Sequence, residues 1–160
     1  MEKICEKGLA KNIGVSNFNE EQLERVLKVA KIKPVVNQVE CQPYFNQKKL
    51  SEYCKSKGIA ITAYRPLGGQ NDKLTGDPKF INTAKKYNKT VAQVLLRYQV
   101  QLGHITIPKS VTKSRIQENF NIFDFELSKD DMELINSYDC NGRIVKLLDS
   151  VDSPYYPFKD

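Results

Sequence analysis

No stretch of this chain approaches the roughly 20 apolar residues that a membrane-spanning helix needs, which argues against a helical membrane protein. Histidine is nearly absent, with His104 alone, so a histidine-built zinc site is not expected. The four cysteines, Cys5, Cys41, Cys54 and Cys140, form no C-x-x-C pair and no metal-ligand spacing; they read as reduced thiols in the cytosol. The amino terminus, Met1-Glu2-Lys3-Ile4-Cys5-Glu6-Lys7, lacks the apolar core of a signal peptide, and the expected compartment is the cytoplasm. Arginine is scarce and no block of like charge occurs. The net charge of +6 is therefore read as solvated helix faces rather than a nucleic-acid surface, with lysines such as Lys28, Lys48, Lys49, Lys85 and Lys86 mixed among acids.

What is present is an alternation of short apolar runs and amphipathic segments. At 160 residues the chain is about one domain, long enough to bury a core. The run Asn12–Ser16 reads as a strand, and Asn19 with Gln22 makes a capping box for a helix bearing Leu23, Val26, Leu27 and Ala30. Pro34 breaks the chain before a second strand over Val35–Glu40. Asn46 is the expected cap of a helix with Leu50, Tyr53 and Cys54, which Gly58 stops. A third strand follows over Ile59–Tyr64, then the turn-rich Pro66-Leu67-Gly68-Gly69 and a helix with Phe80, Ile81 and Ala84. Thr90 and Gln93 form a second capping box for Val91, Val94, Leu95 and Tyr98. Ile105 to Ile107 reads as a buried fourth strand, and Ser128 caps a last helix with Met132, Ile135 and Tyr138. Strands alternating with helices at βα-unit spacing predict an α/β fold with a parallel sheet. The tail over residues 141–160 should be irregular.

Polar residues fall at the strand ends, where parallel-sheet proteins place their ligand cleft. Ser16 and Asn17 follow the first strand; Gln38 and Glu40 lie late in the second; Tyr64 ends the third; Lys109 and Ser110 follow the fourth. The stretch Ile107-Pro108-Lys109-Ser110-Val111-Thr112-Lys113-Ser114-Arg115 is the most pointed. Thr112 is placed to cap a helix whose first-turn amides and dipole favour an anion, and Lys109 and Arg115 add two cations. The residues alone fit either a phosphate-holding turn or a basic loop with an ordinary helix cap.

Several of these strings resemble a known family. Ile13-Gly14-Val15-Ser16-Asn17-Phe18, Asn37-Gln38-Val39-Glu40-Cys41-Gln42-Pro43-Tyr44 and Ala63-Tyr64-Arg65-Pro66-Leu67-Gly68 are similar to the signatures of strands five, six and seven of the aldo-keto reductases. The segment from Ile107-Pro108-Lys109-Ser110 to Asn119 is similar to the cofactor-phosphate signature after strand eight, and the likeness runs on to Tyr156-Pro157-Phe158.

The resemblance implies the C-terminal half of a (β/α)8 TIM barrel that binds NADP(H). By it, Ser16, Asn17 and Gln38 hold the nicotinamide carboxamide, Tyr64 stacks on the nicotinamide ring, and Leu67 lies over the pyrophosphate. Lys109, Ser110, Val111 and Arg115 take the 2′-phosphate, and Glu118 and Asn119 the adenine. The family's catalytic tyrosine, lysine, aspartate and histidine belong to its first four strands, whereas Met1-Glu2-Lys3 resembles part of its fourth helix. No catalytic residue is therefore assigned in this chain, and His104 is read as a surface or core histidine. The expected substrate of the longer form is a small-molecule aldehyde or ketone.

Departures from the family are expected to matter. Arg65 stands at a position that is usually serine, either reaching the pyrophosphate or lying on the rim. The loop Gly69–Asp77 is short, and Gly142-Arg143 replaces a common tryptophan-arginine. Tyr155 and Tyr156 are expected to line or cover the substrate pocket. Four strands cannot close an eight-stranded barrel, so the isolated chain is expected to be inactive and to self-associate through open edges, or partly to unfold. A noncatalytic nucleotide-binding or interaction half-barrel is the alternative, with a Schiff-base enzyme built on Lys109 behind it.

Overall fold

The computed structural model describes residues 1–69 and 74–158. Strands β1 (Val15–Ser16), β2 (Val36–Glu40), β3 (Ala60–Tyr64) and β4 (Ile105–Thr106) form one parallel sheet in that order. Val15 lies opposite Asn37 and Ser16 opposite Gln38. Helices α1 (Glu2–Glu6), α2 (Glu20–Val29), α3 (Lys48–Ser56), α4 (Pro78–Lys86), α5 (Val91–Gln101), α6 (Lys113–Phe120) and α7 (Lys129–Asn136) alternate with the strands or follow them. The first and fourth strands are shorter than their apolar runs. Backbone pairing nevertheless continues past them, with Val35 N donating to Ile13 O (2.9 Å) and Ile107 N to Ala63 O (3.3 Å). No described helix is long and apolar enough to cross a membrane.

Local capping chemistry sets most helix starts. Asn19 and Thr90 each accept from the N3 amide while the N3 glutamine closes back on the cap, so both capping boxes form. Ser128 accepts from Asp131 N, and Gly58, at φ +64, follows the end of α3 in the left-handed conformation that glycine tolerates best. Two expected caps are corrected. α3 is preceded by Gln47, at φ 57 and without a side-chain cap bond. Asn46 instead donates its backbone N–H to Asp139 Oδ2 (2.8 Å) and its side chain to Asn136 O (3.3 Å), because a long-range partner claims it. Thr112 does occupy the N-cap of α6, but its side chain makes no cap bond. Tyr138 falls in the turn after α7 rather than within it.

The chain divides into two compact units. One comprises Met1–Val39, Gln47–Thr62 and the tail from Val145. Its core is Leu23, Val39, Cys54, Ile59 and Ile61. Glu2 ties the amino terminus to it, its carboxylate accepting from Lys31 N (2.6 Å) and Ile32 N (2.8 Å). Those amide bonds, led by Ile32, hold the Glu2 carboxyl below its ordinary pKa. The tail is held by Gln22 Nε2 donating to Tyr155 O (2.8 Å) and by Arg25 over the Tyr155 ring (5.2 Å). Tyr155 thus packs on α2, and a short 3-10 turn over Leu148–Ser150 interrupts the irregular tail.

The other unit comprises Glu40–Asn46 and Ala63–Ile144, around a core of Leu74, Phe80, Ala84, Val94, Leu95, Tyr98, Leu127 and Ile135. Burying each of the larger aliphatic and aromatic side chains among these contributes on the order of 1.5–3 kcal/mol. The buried polar residues at the end of β2 are all engaged. Glu40 Oε1 accepts from Ile144 N (2.8 Å), Gln42 Nε2 donates to Gly142 O (3.0 Å), and Gln42 Oε1 accepts from Tyr44 N (2.8 Å). The expectation of a buried β4 is corrected, since Ile105 is 51% and Ile107 44% exposed. As the last strand of the sheet, β4 has a neighbour on one side only.

His104 is a core histidine. Gln99 Nε2 donates to Cys41 O (3.3 Å), which leaves Gln99 Oε1 to accept from His104 Nδ1 at 2.8 Å. Burial lowers the His104 pKa from 6.5 to about 4, because the charged ring is poorly solvated there. The unfolded chain therefore takes up this proton first as pH falls. Stability from this residue is full above about pH 6.5 and is lost between there and pH 4, by about 3 kcal/mol. Thermal melts across this range should show a falling midpoint that flattens in His104→Gln, and equal slopes in both proteins would refute the assignment.

Candidate functional site

In the first unit, β1 ends in a tight local geometry. Asn17 adopts φ 59, a left-handed conformation that asparagine enters more readily than most residues. Asn17 N and Ser16 Oγ both donate to the carbonyl of Gln38, each at 2.9 Å. Ser16 thus spends its single hydroxyl proton within the chain, and its oxygen remains an acceptor. The Gln38 side chain lies half-buried on β2.

Asn37, one residue earlier and fully buried, fixes the turn after β1. Its Nδ2 donates to Phe18 O (2.9 Å) and its Oδ1 accepts from Phe18 N (3.4 Å). Asn37 is a positioning residue that the sequence reading passed over. The available signal was an amide inside the apolar run Val35-Val36-Asn37, where a buried polar group needs a partner.

In the second unit, Tyr64 ends β3 with its carbonyl accepting from Cys41 N (3.2 Å). Arg65 follows at φ 51, and Gly68 N donates back to Arg65 O (2.9 Å) to close a turn. This turn and the segment after β4 enclose a cavity of about 660 Å³. Leu67, Lys109, Ser110, Val111 and Arg115 all line it, with Arg65 beside them. Leu67 also packs against the core of this unit. Ser110 Oγ accepts from Thr112 N at 3.2 Å, which shapes the approach to α6.

The cavity is electrostatically one-sided. Among the described residues, Arg65, Lys109 and Arg115 line it and no carboxylate does. Among the described residues none of the three forms an ion pair, whereas Lys86, Lys89 and Lys57 pair with Asp131, Asp124 and Glu24 at 2.6 Å. Adjacent unpaired cations repel one another, and an anion relieves that repulsion. The first-turn amides of α6 add partial positive charge.

Not every candidate meets this cavity. Glu118 Oε1 accepts from Thr90 Oγ1 (2.7 Å) and Glu118 O from Gln93 Nε2 (3.3 Å), securing α6 to the start of α5. Asn119 lines a neighbouring, mostly apolar cavity of about 710 Å³ with Ile105, Ile116 and Phe120. Tyr64 is half-buried and not among the lining residues. Residues 70–73 of the loop noted over Gly69–Asp77 lie outside the described residues, and Leu74–Gly76 forms a 3-10 turn. Among the described residues no cluster of histidine, cysteine and acids could hold a metal ion.

Residues 1–139 match the model of the Aldo/keto reductase family. The chain belongs to that family. It is 45% identical to aldo-keto reductase family 1 member A1-A of Danio rerio, covering 99% of this chain and 54% of that relative. Dihydrodiol dehydrogenase 3 of Bos taurus is 48% identical over 99% of this chain and 52% of its own length. A solved aldose reductase from Schistosoma japonicum superposes with a TM-score of 0.95 at 44% identity, over 100% of this chain and 52% of that one. The chain thus spans about half the length of these relatives, and its four parallel strands correspond to part of a TIM barrel.

The role of Asn37 in this family fold is directly testable. Asn37→Ala leaves Phe18 N and O without their buried partner and should cost about 1–3 kcal/mol in urea denaturation. An unchanged midpoint would show that the turn after β1 does not depend on it.

Proposed function

We propose that the protein carrying this chain reduces aldehydes or ketones with NADPH, and that this chain supplies the cofactor-binding residues. The observation that carries the reading is the cavity beside the start of α6 that brings Lys109, Ser110 and Arg115 together, with no carboxylate among its described lining residues. Its donors suit a phosphate dianion: a lysine as a point charge, an arginine fork and a hydroxyl. Such a set favours a 2′-phosphorylated dinucleotide over one with a free 2′-hydroxyl. NADPH, when bound, supplies the hydride that passes from C4 of its nicotinamide to the substrate carbonyl carbon.

The chain's own residues then bind and orient. Ser16, Asn17 and Gln38 offer acceptors and amide donors for a carboxamide, and the Asn37 clasp on Phe18 keeps that turn from relaxing. Tyr64 is proposed as the ring on which the nicotinamide stacks, which selects the face presented to substrate. Leu67 and Val111 give apolar walls. Glu118 and Asn119 are proposed for the adenine edge, with Glu118 already oriented by Thr90. The proton that completes the reduction is proposed to come from residues outside these 160, so the isolated chain is expected to bind without turning over.

Fluorescence titration separates the readings. NADPH should bind at least tenfold more tightly than NADH, and Lys109→Met or Arg115→Leu should each remove about 1 kcal/mol of that preference. Equal affinity for the two cofactors would overturn the proposal. Binding by the full-length protein without carbonyl reduction would instead favour a noncatalytic nucleotide-binding module.

A further inference from the structure

Glu40 ends β2 completely buried, and none of the roles proposed above uses it. Taking a carboxylate out of water is costly unless hydrogen bonds replace the solvent. Here Oε1 accepts from Ile144 N at 2.8 Å. The bond joins the end of β2 to the segment that follows α7, 104 positions further along the chain.

The neighbouring residues make the same connection. Gln42 Nε2 donates to Gly142 O (3.0 Å), while Cys140 N (3.2 Å) and Gly142 N (2.7 Å) both donate to Tyr44 O. The Arg143 guanidinium lies over the Phe45 ring, 4.3 Å from its centroid. Residues 140–144 are thus seated on residues 40–45. Gly142 is needed for so close a fit: a Cβ there would meet Tyr44 Cβ and Tyr44 O at 3.1 Å and Cys140 Sγ at 3.3 Å.

The strand period says where this segment lies along β2. Alternation puts Gln38 and Glu40 on one face, and Val39 on the other, where it packs into a core. Two residues advance a strand by about 6.6 Å. The advance is toward its carboxyl end, where parallel-sheet proteins open their clefts. The seated segment is therefore on the mouth side of the nicotinamide that Gln38 is proposed to hold, where a carbonyl compound enters.

We propose that Glu40 is a positioning residue for the carbonyl substrate, an inference that rests on the NADP(H) reading above. Its carboxylate fixes Ile144, and the segment Gly142–Ile144 held in this way is a wall against which the substrate aligns. Glu40 itself touches neither substrate nor cofactor in this role.

Steady-state reduction of an aromatic aldehyde, 4-nitrobenzaldehyde, by the full-length protein tests this, beside fluorescence titration with NADPH. Glu40→Ala should raise the KM for the aldehyde at least about tenfold and leave the Kd for NADPH within about twofold. Glu40→Gln, whose amide oxygen still accepts from Ile144 N, should return KM to within about threefold of the parent. Gly142→Ala strains the same seat from its other side without emptying a buried site. It should raise KM severalfold, and it decides the matter should Glu40→Ala not fold. A loss of folded protein alone lowers kcat and leaves KM where it was.

An unchanged KM in Glu40→Ala, or in Gly142→Ala where the first variant does not fold, would overturn the proposal. So would an equal weakening of NADPH, which marks a general disturbance. Glu40→Gln as impaired as Glu40→Ala would overturn it too, since the charge rather than the held amide would then matter. A parent protein that binds no NADPH would instead mark failure of the NADP(H) reading, and this inference would fall with it.

Discussion

A polar side chain buried in a strand must find a hydrogen-bond partner, and in β2 that requirement organises the loops around it. Asn37 satisfies itself on both backbone groups of Phe18 in the first unit. In the second, Glu40 takes the amide of Ile144, and Gln42 takes the carbonyl of Gly142 and the amide of Tyr44. Each bond trades a solvated loop conformation for a fixed one. The turn after β1, which carries candidate ligand groups, is thus positioned by Asn37, while Glu40 and Gln42 fix the segments at Ile144, Gly142 and Tyr44.

The positive-φ residues of the candidate site are held by bonds in their own turns. Asn17 and Arg65 both follow directly on a strand and both hold positive φ. Neither would stay there in a short peptide. Asn17 is held by its own amide on Gln38 O, with Asn37 gripping the next residue. Arg65 is held by the turn to Gly68. The two positions place polar side chains at strand ends without a long loop, which keeps the cost of ordering a ligand-binding segment low.

The legible parts of the fold were those governed by residues close in sequence. Asn19 with Gln22, Thr90 with Gln93 and Ser128 each formed the cap that its spacing predicts, because the partner lies one helical turn away. Asn46 was misread because Asp139 and Asn136 compete for it from far along the chain. β4 looked buried because its residues are apolar, but exposure depends on how many neighbours a strand has, which no window of sequence encodes. The cavity around Lys109, Ser110 and Arg115 was legible as a cluster; the separation of Glu118 and Asn119 from it was not. They fall beyond the first turn of α6, and the helix carries them toward α5 and the neighbouring cavity.

The two capping boxes have one more property. Both close with glutamine, Gln22 and Gln93, where the motif also admits glutamate. A glutamate there would favour the positive end of the helix dipole but would surrender its charge on acidification. An amide has no proton to gain in that range. The glutamine bonds that close the starts of α2 and α5 are therefore indifferent to acidity, whereas the bond from Thr90 Oγ1 to Glu118 ties the start of α5 to a carboxylate as well.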